Sequence, residues 1–121
     1  MNSIRFDFEK LIEHLKGKFN FLNLKVNKNI EMLIYSYKIW AEFETYKIRN
    51  KSQMEKIMNQ LIKLESTVDI WFDYISYEKY FGDLNSIRKI YKKAIEYCKK
   101  DKKLISEKWL NWENMYDFFY E

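Results

Sequence analysis

Proline is absent from this chain, and its 121 residues hold only two glycines, Gly17 and Gly82. Tight turns and bulges draw on both residues, while helix interiors exclude them. The scarcity argues against a strand-rich fold and for an all-α one. A single cysteine, Cys98, excludes an intrachain disulfide and fits a reducing compartment. With one histidine besides, His14, the chain has too few soft ligands for a zinc centre. No neighbouring group marks His14 as an oriented base, so it reads as a solvated helix residue. Cys98 reads as a small buried hydrophobe. No catalytic, cofactor-binding or metal-binding constellation emerges, and a non-enzymatic protein without a small-molecule substrate is expected. No apolar run approaches the roughly 18 residues that cross a bilayer. The start, MNSIRFDFEKL, lacks the basic-then-apolar layout of a secretory signal. The expected protein is soluble, intracellular and away from membranes.

Aromatic residues are plentiful instead: ten Tyr, nine Phe and four Trp make up 19% of the chain. So many large rings imply broad helix contacts, with a few left to dock a partner. The net charge of +4 permits nucleic-acid contact. Yet only Arg5, Arg49 and Arg88 are arginines, the usual residue for bidentate phosphate or guanine contacts. The lysines are spread over helix faces. The densest cluster, Lys99, Lys100, Lys102 and Lys103 around Asp101, suits a solvated loop, and could touch RNA phosphates or an acidic partner.

Helical periodicity runs almost throughout. Ile4, Phe8, Leu11, Ile12, Leu15, Phe19 and Leu22 predict a first helix over about 3–24, with Gly17 inside it. Asn27-Lys28-Asn29 should break the pattern before a second helix carrying Met32, Leu33, Tyr37, Trp40, Phe43 and Ile48. Ser52-Gln53-Met54-Glu55 has the form of a capping box and predicts a third helix to about Leu64. Ser66-Thr67-Val68-Asp69 is a weaker box for a fourth, which Gly82 should end in a left-handed cap. Asp83 should cap a fifth helix and Asp101 a sixth, over about 102–119. The predicted helix ends therefore fall near 24, 49, 65, 82 and 100, each to about three residues. Trp40, Trp71, Tyr74, Tyr91, Ala94 and Ile95 are the expected core.

These helices repeat. Tyr37, Trp40, Phe43 and Glu44 stand as Trp71, Tyr74, Tyr77 and Glu78 do, and Trp109, Trp112 and Glu113 take the last three places again. Arg88, Tyr91, Ala94 and Ile95 are mirrored by Arg5, Phe8, Leu11 and Ile12 on the alternate helices, and Ile57, Met58, Leu61 and Ile62 keep only the apolar places. A spacing near 34 residues is the period of helix-turn-helix repeats. Each unit is an A helix with aromatic teeth and a B helix with an aliphatic stripe, and such pairs must stack to bury their faces. Glu78 and Arg88 should pair across the hairpin closed by Gly82 and Asp83.

Residues 71–95, with Trp71, Tyr74, Glu78, Gly82, Asp83, Arg88, Tyr91, Ala94 and Ile95 in register, resemble the half-a-TPR (HAT) repeat. Ordinary TPR repeats want a small residue where Ile75 stands. The resemblance implies a right-handed α-solenoid of antiparallel hairpins: a B helix over about 3–24, repeats over about 28–64 and 67–99, and a further A helix over about 102–119. It implies a scaffold in RNA processing. Within the family the pattern is similar to the C-terminal HAT half of U4/U6 snRNP recycling factors, which implies a nuclear splicing role, a homodimer and protein partners. A HAT module of 3′-end cleavage or ribosomal RNA maturation, and a direct RNA-binding repeat, are the alternatives. The last A helix has no following B helix to cover it, so Trp109, Met115, Tyr116 and Phe119 are the candidate interface.

Overall fold

The computed structural model describes residues 7–16 and 26–120, with the side chains of all these except 26–29, 119 and 120. Six helices account for nearly all of the described residues, and no strand occurs among them. They fall into two compact units, Met1–Glu65 and Ser66–Glu121.

In the first unit, residues 7–16 are helical (α1). The helix α2 spans Val26–Phe43 and α3 spans Lys51–Leu64. α1 presents Ile12 and Leu15, α2 presents Leu33, Ile34, Tyr37, Trp40 and Ala41, and α3 presents Met54, Ile57, Met58 and Leu61. All are buried, and their spacing of three and four residues puts each set on one helix face. Phe8 stacks on Trp40 with ring centroids 6.3 Å apart, joining α1 to α2. α2 packs along α3.

Several sequence expectations shift here. Asn27, Lys28 and Asn29 do not interrupt a helix but belong to the first turn of α2. First-turn amides have no partner within the helix, so polar residues are well placed there. Met32 is 54% exposed rather than on the core stripe. It lies about 140° around the helix from Tyr37, five residues at about 100° each. The far end of α2 widens into a π-helical turn, Glu44–Ile48, that buries Glu44 and Thr45. Arg49 then takes a left-handed conformation (φ 63°), and Asn50 donates its backbone N–H to the Glu44 carbonyl at 2.9 Å. The capping residue of α3 is Asn50, not Ser52: its Oδ1 accepts the Gln53 backbone N–H at 3.0 Å. The ends of the predicted first helix, and Gly17, lie outside the described residues.

In the second unit, α4 spans Val68–Phe81, α5 spans Leu84–Tyr97 and α6 spans Lys102–Tyr120. α4 packs on α5, and α5 on α6. Gly82 ends α4 as expected, at φ 80°, a conformation that costs a residue with a Cβ far more than glycine. Asp83 caps α5, accepting from the Asn85 backbone N–H at 3.2 Å and from the Ser86 hydroxyl at 2.6 Å. Thr67, not Ser66, is the N-cap position of α4, and it makes no side-chain cap bond. Ser66 is exposed, and its Oγ instead accepts the Trp71 indole N–H at 3.0 Å. Asp101 is no extended cap either, because Lys99–Asp101 form a 3-10 turn that runs straight into α6.

Trp71, Tyr74, Tyr91 and Ala94 are buried, as is Trp40 in the first unit. Ile95 is only half-buried. It sits at the edge of the stripe made by Ile87, Ile90, Tyr91 and Ala94. Cys98 is buried, its thiol 3.7 Å from the Ser66 carbonyl, and burial raises the thiol's pKa.

Candidate interaction surface

The repeated aromatic-and-glutamate run builds a recurring local contact. In α2 the Trp40 indole donates to Glu44 Oε2 at 3.1 Å, and in α6 the Trp109 indole donates to Glu113 Oε2 at 3.2 Å. Residues four apart on a helix face one another, so Trp-xxx-Glu closes this bond within one element. The alternation of aromatic and glutamate was legible in the sequence. The indole-to-carboxylate bond within it was not drawn from it.

Around Glu113 the contact extends into a cluster. Arg88 of α5 donates from Nε and Nη2 to the two oxygens of Glu113, both at 2.9 Å. This replaces the expected Arg88–Glu78 pair. Glu78 is fully buried on α4. The forked bond holds the Glu113 carboxylate below the usual range, the Arg88 hydrogen bond being the main cause.

Next to this pair, Tyr91 stacks on Trp109 at 5.5 Å and 3° and meets Trp112 at 5.8 Å. Lys79 of α4 lays its ammonium over both rings, 5.2 Å from Tyr91 and 5.6 Å from Trp112. Burial lowers the Lys79 pKa, and the like charge of Lys108 adds to the effect. Burial also pushes the Tyr91 phenol up to about 12, and the Glu113 charge works the same way. These are packing contacts joining three helices, and no general acid faces a general base among them.

The outer side of α6 is different. Leu110 is 60% exposed, Met115 59% and Phe118 82%. With Asn111, Asn114 and Asp117 also exposed among them, they make an apolar strip interrupted by two amides and a carboxylate. Of the candidate interface residues, Met115 belongs to this strip. Trp109 does not: its ring stacks inward on Tyr91. Tyr116 is half-buried and packs by Trp112 at 6.1 Å. The Phe119 side chain lies outside the described residues. Leu110 and Phe118, absent from the expected set, follow from Leu110-Asn114-Phe118 at four-residue spacing.

Lys99, Lys100, Lys102 and Lys103 are all exposed at the turn between α5 and α6. His14 is exposed too. Among the described residues no group of three or more His, Cys, Asp or Glu could hold a metal ion, and no helix is long and apolar enough to cross a membrane. No protein-family model, curated protein or solved structure matches this chain.

Proposed function

We propose that this chain is a HAT-type scaffold module of an RNA-processing factor, acting in pre-mRNA splicing through U4/U6 snRNP recycling. On this reading the hairpins stack as a right-handed α-solenoid, and the module works in the nucleus by self-association and protein binding, without catalysis or a cofactor. The observation that carries it is the matched Trp-to-Glu bond in α2 and α6, set on A helices that pack against aliphatic B helices. The glycine-closed hairpin of α4 and α5 supports the same reading. On this reading the exposed apolar residues Leu110, Met115 and Phe118 supply the self-association surface. Twofold pairing of two such strips buries both reciprocally.

Sedimentation of the purified chain tests the assembly, and a dimer at micromolar concentrations is expected. Leu110→Glu with Phe118→Glu should return it to monomer. A monomeric wild-type chain would overturn the self-association. Recovery of U4 and U6 RNAs with the tagged chain from nuclear extract tests the splicing assignment, and their absence overturns it. The exposed lysine cluster favours a second reading, direct RNA contact. Replacing Lys99, Lys100, Lys102 and Lys103 by Gln should then weaken RNA binding and flatten its dependence on salt.

A further inference from the structure

The excess of positive charge on this chain is local. Residues 89–103 carry seven lysines against Glu96 and Asp101, a net of +5, where the whole chain carries +4. Everything outside that segment is therefore slightly acidic. Lys93 is half-buried, and Lys89, Lys92, Lys99, Lys100, Lys102 and Lys103 are exposed. Lys89 and Lys92 stand on the side of α5 away from its buried stripe of Ile87, Ile90, Tyr91 and Ala94. The last four follow around the turn into α6, and all seven belong to the second unit.

Set among these lysines is an exposed ring. Tyr97 is the last residue of α5 and is 64% exposed. It stands four residues after Lys93, on the same side of the helix, and two before Lys99. One face of the ring lies on buried Trp71, with centroids 5.4 Å apart and planes at 22°, and Trp71 stacks in turn on Tyr74. Among the described residues no other ring meets Tyr97 and no cation covers it. The ring is thus braced from behind and open in front. Its open face is electron-rich, so a carboxylate is repelled there, whereas a nucleobase can stack on it. An acidic peptide would suit the lysines but not the ring between them.

We propose that the end of α5 binds single-stranded RNA, with an unpaired base stacked on Tyr97 and the flanking phosphates held by Lys93, Lys99 and Lys100. The site rests on the reading that this chain contacts RNA directly, and adds to it the strandedness of the ligand and the ring that selects it. The lysines neutralise a phosphate backbone of any sequence, and the ring accepts any base, so sequence preference is weak. A duplex keeps its bases stacked on one another and offers Tyr97 no free base face.

Fluorescence anisotropy of a labelled oligouridylate of about ten nucleotides, titrated with the full chain, tests this. The single strand should bind roughly tenfold more tightly than an RNA duplex of equal length. Tyr97→Leu keeps Trp71 covered but removes the stacking face. It should weaken single-strand binding roughly tenfold with the salt dependence unchanged, while Tyr97→Phe binds as the wild type does. Lys93→Gln with Lys99→Gln and Lys100→Gln should weaken binding and flatten its dependence on salt. Circular dichroism and urea unfolding show whether each variant is folded, and Tyr97→Met replaces Tyr97→Leu if that one is not. Lost affinity in the lysine variant with none lost in folded Tyr97→Leu would overturn the stacking site and leave direct RNA contact standing. No binding of RNA by the wild type would overturn both. Equal affinity for the duplex, or displacement by polyglutamate as effective as by unlabelled RNA, would overturn the site alone.

Discussion

The same Trp-xxx-Glu pair meets opposite fates in the two units. In the first, Glu44 is fully buried and Trp40 is 7% exposed, with α1 laid across the ring through Phe8. In the second, Trp109 and Glu113 are half-buried, and the carboxylate is reached by the guanidinium of Arg88. The bond itself is local, since four-residue spacing brings indole and carboxylate together in any helix. What differs is the cover. A buried carboxylate needs its hydrogen bonds because water cannot replace them, whereas a half-exposed one can exchange them for solvent.

The largest expected effect fixes the scale for that comparison. Trp71 is 2% exposed, stacks between Tyr74 and Tyr97, and donates to Ser66. Trp71→Ala should cost about 3–5 kcal/mol by urea unfolding, as for other buried large aromatics. A loss below about 1 kcal/mol would mean that the second unit does not depend on this ring.

Trp40→Phe against Trp109→Phe tests the comparison directly. Removing the indole donor beside buried Glu44 should cost about 1–3 kcal/mol beyond the change in packing. The same change beside half-exposed Glu113 should cost clearly less, because water and Arg88 still serve the carboxylate. Equal losses would break the distinction between covered and open pairs.

The two left-handed helix ends offer a smaller test of the same kind. A Cβ built on Gly82 meets no atom within 4 Å, so any penalty there comes from φ 80° alone. Gly82→Val should destabilise by about 1–3 kcal/mol, whereas Gly82→Asn should cost much less. Arg49 already tolerates φ 63° with a side chain, so Arg49→Gly should change stability by under about 1 kcal/mol. An unchanged melting temperature for Gly82→Val would show that the turn relaxes.

The smallest effect belongs to the Arg88–Glu113 fork, which is open to solvent and screened by salt. The folded-state pKa of Glu113 is depressed, so its stabilising contribution is present above the ordinary glutamate value of about 4.3 and is lost as pH falls through the depressed value. The stability difference between the wild type and Arg88→Ala should therefore shrink on acidification and in high salt. A difference that grew at low pH would assign Arg88 to another partner.

Most of the helices were legible because their signals are local. Gly82 and Asp83 mark the hairpin they form, and the buried positions of α5 follow one apolar stripe to within Ile95. The misplaced caps show where local rules compete. Ser52 and Ser66 both satisfy a capping pattern, but Asn50 caps α3 because the wide turn after Glu44 leaves it extended there. The Trp71 indole claims the Ser66 hydroxyl.

From the amino-acid sequence alone came the all-helical character and the repeat of aromatic and glutamate positions. Spacing and backbone preference act within one element, and one chain suffices to read them. Tertiary structure alone decided that Arg88 answers Glu113 rather than Glu78, and that Trp109 faces inward while Leu110 and Phe118 face out. Each of these depends on how one helix is turned against another, which packing of the whole face determines and no local spacing records.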